Sequence, residues 1–206
     1  AQHGNLIPVS TQLYGDLETP VSAMLKLRRG RYNFLLESVE GGNQIGRYSF
    51  LGRDPSLVFR SKGRRVTLRR GADVSELECD RPLDELARLL AEIKPVADPA
   101  LPPFAGGAVG YIAYDVVRQY ERLPDGNPDA LAVPDICYML TDTIVAFDNV
   151  SHVITVIRNV RARPGDNLMV HKALQLAEPG DIVVVSTNGN TTSAVFGELM
   201  CRTAIS

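Results

Sequence analysis

Few residues in this chain have both the type and the setting for chemistry. The clearest are Glu37 and Ser38, at the end of Leu35-Leu36-Glu37-Ser38. A carboxylate and a hydroxyl sit together where an apolar strand stops. Such a place suits a ligand with an ammonium group and an apolar body. It also suits a plain strand end in which Ser38 bonds the next turn. His3, His152 and His171 are isolated from one another and read as surface or capping residues. The glycine groups at 41–46 and 106–110 do not form GxGxxG and read as structural. Arg60, Lys62, Arg64, Arg65, Arg69 and Arg70 cluster with only Phe59 nearby. A nucleic-acid surface would interleave aromatics, so a solvated hairpin face is expected. Cys79, Cys137 and Cys201 are odd in number and far apart, so neither a disulfide framework nor a CxxC metal pair is expected. HExxH, GxSxG and the phosphate-binding P-loop run are all missing from the 206 residues.

The elements that must position Glu37 and Ser38 can be read around them. Pro20 to Arg28 predicts a short helix capped by Thr19, with Pro20 in the first turn, where its missing N–H costs nothing. Tyr32 to Leu36 is a compact strand, and Ile45 to Leu51 its return, with Ile45, Arg47, Ser49 and Leu51 on one face. Ser56–Ser61 and Arg65–Arg69 form a hairpin about Lys62-Gly63. Pro82 to Ile93 carries Leu83, Leu86, Leu89, Leu90 and Ile93 as one apolar helical stripe. Gly106 to Ile112 reads as a strand whose backbone is closely approached. Asp135–Phe147 and His152–Val160 are β-rich around an Asp148–Ser151 turn. After Val160 the rhythm changes to helix (Asn167–Ala177), strand (Ile182–Val185, all β-branched) and helix (Ser193–Ala204). The fold class expected is α+β: a mostly antiparallel β region with flanking helices over 1–160, then a short helix–strand–helix α/β fragment over 161–206.

Composition narrows the function classes. The chain has 206 residues, 45% hydrophobic, with 22 basic against 24 acidic side chains and a net charge of −2. It is long enough for a real core and too apolar to be wholly disordered. Near-neutral charge predicts no nucleic-acid partner. No apolar run approaches the ~18 residues of a membrane span. Ala1-Gln2-His3-Gly4-Asn5 lacks the pattern of a secretion signal, so a cytoplasmic location is expected.

Residues 5–160 resemble the N-terminal region of the anthranilate synthase large subunit, component I. The runs that carry the resemblance are Leu6-Ile7-Pro8-Val9, Thr19-Pro20-Val21-Ser22-Ala23, Phe34 to Gly42, Ile45 to Gly52, Pro103 to Asp115 and Asp142 to Asp148. They occur in the family's order and spacing. The family converts chorismate to anthranilate, with ammonia from a glutamine amidotransferase subunit. The resemblance therefore implies a role in tryptophan biosynthesis, an amidotransferase partner and an L-tryptophan feedback site. It gives Ser38 the role of a ligand contact, with Glu37 its neighbour. Aminodeoxychorismate synthase shares the architecture, but Glu37-Ser38 followed by Val39-Glu40-Gly41-Gly42 favours anthranilate synthase.

The family's chorismate and Mg²⁺ ligands lie in a C-terminal half that has no counterpart among these residues. The resemblance thus implies no catalytic residues, no metal ligands and no cofactor here, with Mg²⁺ a property of the intact parent enzymes. Half of the tryptophan pocket is missing too, so binding is expected to be weak. Residues 163–206 resemble instead the hydroxymethyl-oxoglutarate aldolase and ribonuclease E inhibitor-like family, through Arg163 to Leu168, Pro179 to Val185 and Gly197-Glu198-Leu199-Met200. In that family the last stretch holds a pyruvyl carboxylate on backbone N–H groups, which makes Gly197, Glu198, Leu199 and Met200 a carboxylate-binding remnant. The chain reads as a chimera joined near residue 161. Its tail is expected to drive self-association or to act as an assembly module.

Overall fold

The computed structural model describes residues 4–28, 30–37, 46–124, 126 and 128–161. The chain divides into two units, Ala1–Val160 and Arg161–Ser206, and the elements below build the first. The helix–strand–helix expected over 167–204 lies outside the described residues.

The fold is α+β, with ten strands in two antiparallel-dominated sheets. The strands are β1 (Leu6–Tyr14), β2 (Asn33–Leu36), β3 (Tyr48–Arg53), β4 (Leu57–Lys62), β5 (Arg65–Arg70), β6 (Asp73–Glu78), β7 (Gly107–Ile112), β8 (Ile136–Thr141), β9 (Thr143–Asp148) and β10 (Val153–Arg161). The first sheet runs β1-β10-β9-β3-β2 and the second β6-β5-β4-β8-β7. Only Asp142 separates β8 from β9, so the chain passes from one sheet to the other at that residue.

Two helices cover the outer faces. Helix α1 (Pro20–Leu27) starts as its sequence predicts. The Thr19 hydroxyl accepts the Ser22 N–H at 3.0 Å, and the Ser22 hydroxyl accepts the Thr19 N–H at 2.9 Å, closing a capping box. Helix α2 (Pro82–Ala91) buries Leu86 and Leu89, with Leu83, Leu90 and Ile93 packed alongside. That stripe meets Leu57 and Phe59 of β4, Val66 and Leu68 of β5, and Ile136 and Leu140 of β8. Phe59, Val66 and Ile136 are wholly inaccessible. Each such side chain contributes ~1.5–3 kcal/mol through burial.

Period-two alternation sends each strand's residues to two faces. In the first sheet Leu51, Phe147 and Ile154 face α1 and its Ala23. Phe34, Ile144 and Ile157 face the other way and meet Val109 and Met139 of the second sheet, with Phe104 between. The layers are therefore α1, first sheet, second sheet, α2.

The close approach expected of the 106–112 glycines is present. A Cβ on Gly110 would lie 1.9 Å from the Cys137 carbonyl oxygen. Gly106 adopts φ +149°, and a Cβ there would meet the Asn159 amide at 2.4 Å. Asn159 instead donates to the Ala105 carbonyl at 2.6 Å.

The return strand differs from its sequence reading. It spans Tyr48–Arg53 rather than Ile45–Leu51. Ser49 and Leu51 are both buried, but Arg47 stands before the strand and turns to an acid on the β9–β10 turn. Three elements escaped the sequence reading altogether: β1, β6 and a 3₁₀ segment over Tyr114–Gln119.

Candidate functional site

Strand β2 forms the edge of the first sheet, and its last residue carries the candidate site. Leu36 pairs with Phe50 across the β2–β3 ladder and is 44% exposed. Glu37 follows it, exposed and without an ion pair among the described residues. Ser38 lies outside the described residues. Beside Leu36, Phe50 stacks on Tyr48 with ring centroids 5.9 Å apart. Phe50 also meets Phe104 edge-on at 5.5 Å. Tyr48, Phe50 and Phe104 are only half-buried. The result is an apolar, aromatic strip with the exposed Glu37 carboxylate at one end.

A charge pair fixes the far end of the strip. The Arg47 guanidinium lies 5.0 Å from the Tyr48 ring centroid. Its Nε and Nη2 both donate to the Asp148 carboxylate, at 3.1 and 2.6 Å. Asp148 Oδ1 also accepts the Val150 and Ser151 backbone N–H groups, at 3.0 and 3.3 Å. The Arg47 hydrogen bond, helped by those N–H groups, holds the Asp148 carboxyl well below the usual carboxylate range. Asn149 donates to the buried Ser49 hydroxyl at 3.1 Å. The start of β3 is thus tied to the β9–β10 turn by side chains about a hundred residues apart in sequence. Sequence reading placed Glu37 correctly at a strand end. It missed Tyr48, Phe50 and Arg47 as neighbours, because only the Leu36–Phe50 register brings them together.

The other sequence candidates resolve differently. The basic cluster is partly neutralised: Lys62 bridges Asp129 and Asp135, and Arg64 meets Asp80. The Lys62 ammonium is raised above its ordinary range by those two acids. Burial pushes the Cys137 thiol up, which disfavours the nucleophilic thiolate. Cys79 is a free thiol packed against the α2 core. His152 is exposed, in the tight turn before β10, with φ +57°. His3, His171, Cys201 and the Gly197, Glu198, Leu199 and Met200 stretch lie outside the described residues. Among the described residues no three His, Cys, Asp or Glu side chains converge as metal ligands. No helix among them is long and apolar enough to cross a membrane.

Comparison with known proteins agrees with the sequence resemblance. The anthranilate synthase component 1 of Synechocystis sp. is 44% identical over 181 residues, 86% of this chain and 35% of that protein. The Aquifex aeolicus protein of the same name is 40% identical over 166 residues, 80% of this chain and 34% of that protein. A crystal structure of anthranilate synthase component I from Streptococcus pneumoniae TIGR4 is 25% identical, with a TM-score of 0.46, covering 81% of this chain and 37% of that one. The RraA-like family model (Aldolase/RraA) matches residues 133–206. That match starts well before residue 163, where the sequence resemblance places it. It takes in β8, β9 and β10, which pair with β4, β7 and β3 of the preceding chain. The chain spans about a third of the length of the curated relatives it matches. Over about four fifths of its own length it is similar to anthranilate synthase component 1, and its residues 133–206 are similar to the RraA-like (Aldolase/RraA) family.

Proposed function

We propose that this chain is the tryptophan-sensing N-terminal region of an anthranilate synthase component 1-type protein, and that Glu37 and Ser38 contact the amino acid. The observation that supports it is the pairing of Leu36 with Phe50. That register lays an exposed apolar edge along Tyr48 and Phe50 and ends it in the exposed Glu37 carboxylate. An indole ring gains most from stacking and edge contacts with such rings. An ammonium group gains a charge-assisted bond from Glu37. On this reading the region binds and reports; it does not turn over chorismate. The working enzyme would then need chorismate and Mg²⁺ ligands from elsewhere and ammonia from a glutamine amidotransferase subunit, in the cytoplasm.

Equilibrium dialysis with L-tryptophan tests the reading. On this reading a dissociation constant in the high-micromolar to millimolar range is expected from these contacts alone, since each ~1.4 kcal/mol of contact not made costs a factor of ten. Ser38→Ala should weaken binding by ~0.5–1.5 kcal/mol, the net worth of one hydrogen bond. Binding unchanged by both Ser38→Ala and Glu37→Gln would refute the site. Anthranilate formed from chorismate, Mg²⁺ and ammonia by the purified chain would refute the non-catalytic part.

A second reading is favoured by the RraA-like match over residues 133–206. There the chain is a chimera, and its tail is an assembly module in which Gly197, Glu198, Leu199 and Met200 retain carboxylate-binding backbone amides. It predicts that removing residues 163–206 lowers the mass in solution. An aminodeoxychorismate synthase-like fragment is the variant of the first reading in which the same strip serves the related enzyme.

A further inference from the structure

Helix α1 covers the first sheet incompletely. Its eight residues bury only Ala23, while Val21 and Leu25 point out, 51% and 60% exposed. Met24 and Leu27 reach toward the sheet and remain half-buried. Between helix and sheet is a cleft of about 390 Å³. Leu51, Val145, Phe147 and Ile154 are among its lining residues. That volume lies within the ~300–1,000 Å³ of small-molecule pockets, and the lining is almost wholly apolar.

Charge is concentrated among the remaining lining residues. Lys26, Arg28 and Arg53 line the cleft together with one acid, Glu18. Glu18 is already answered by the Lys26 ammonium and by the Ser22 hydroxyl at 2.7 Å, which hold its carboxyl below its ordinary range. Arg53 donates to the Leu27 carbonyl at 3.2 Å, which fixes its guanidinium beside the end of α1, and its Nε pairs with the exposed Asp54 carboxylate at 3.5 Å, so the surplus charge at the rim is that of Arg28. Arg28 is exposed and makes no ion pair among the described residues. An apolar floor with surplus positive charge at its rim complements one class of ligand.

We infer that this cleft binds a small monocarboxylate with an apolar body, its hydrocarbon part on Leu51, Val145 and Phe147 and its carboxylate at Arg28 and Arg53. The site is distinct from the tryptophan strip. Leu51 faces α1, whereas its neighbour Phe50 faces the opposite side of the same sheet. The two assignments therefore stand or fall separately.

The test is a titration of the ¹⁵N-labelled full chain with 4-phenylbutyrate, and in parallel with the uncharged 4-phenylbutanol. The inference predicts saturable shifts at residues 23–28, 51–53 and 145–156, with the alcohol at least fivefold weaker. Arg28→Gln should bring the acid close to the alcohol, and raised salt should do the same. Val156→Phe, which fills the cleft, should weaken the acid tenfold or more without unfolding the chain. No saturable shift at these residues would overturn the inference, and so would equal binding of acid and alcohol. Shifts at these residues on simple dilution would also overturn it, in favour of a second copy of the chain as the occupant.

Discussion

The two outer layers of this molecule are built alike and filled differently. Each sheet carries one helix that begins at a proline. Under α2 the stripe of Leu86 and Leu89 meets six buried side chains from three strands, and the space is filled. Under α1 a single alanine is buried and a cleft remains. Both candidate ligand positions lie on the less filled first sheet, one on each of its faces. The difference places the denser packing on the second sheet and leaves the first as the sheet on which both proposed ligand positions lie: a packed scaffold can hold an underfilled layer open without losing the fold.

That comparison can be broken by mutation. Phe59→Ala, at the centre of the α2 layer, should cost ~3–5 kcal/mol of unfolding free energy in a denaturant titration. Leu27→Ala, beside the α1 cleft, should cost less than ~2 kcal/mol, because a half-buried side chain next to open space loses fewer contacts. Equal losses would show the two layers to be equally packed. Gly110→Ala should cost ~1–3 kcal/mol through forced separation of β7 from β8, seen as faster amide exchange in both strands.

Smaller effects sharpen the contrast. Ser61 is 2% exposed, and its hydroxyl finds no partner among the described residues. Ser61→Ala should therefore stabilise the chain by ~1 kcal/mol, since an unsatisfied buried group is removed. Thr19→Ala removes the α1 cap and should cost ~1 kcal/mol, with exchange rising in α1 but not in α2. The Arg47–Asp148 pair adds a pH dependence. Asp148 has a lowered pKa in the folded state. Its contribution is therefore full above the ordinary carboxylate range and is lost as pH falls through it toward the folded value. Asp148→Asn should flatten the decline of melting temperature between about pH 5 and pH 3.

Much of this architecture was legible in the sequence where local chemistry and final structure agree. Thr19-Pro20 starts α1 because a side-chain oxygen and a fixed φ act within one turn. The leucine stripe of α2 has one period and one outcome. The Lys62–Arg65 hairpin lies within a residue of its expected position. Strands β1 and β6 were hidden because their own residues do not ask for a sheet. β1 carries Pro8 and a polar Ser10-Thr11-Gln12 run, and it is an edge strand held by its neighbour β10. β6 alternates acids with Val74 and Leu77 and is almost wholly exposed, a charged edge that resists further pairing. At the candidate site Glu37 was readable as a strand-end carboxylate. The Tyr48–Phe50 strip was not, because it depends on a cross-strand register. The cleft under α1 was invisible for a similar reason: it is a property of how a small-residue helix face meets a distant sheet.

The most direct test of the account is where L-tryptophan lands on the first sheet. In a ¹⁵N titration of the full chain, the account predicts saturable shifts at residues 35–37 and 46–50, lost in Glu37→Gln and retained in Val156→Phe. Shifts confined to residues 23–28 and 145–156, on the α1 face, would contradict it. So would the absence of any saturable shift at millimolar tryptophan.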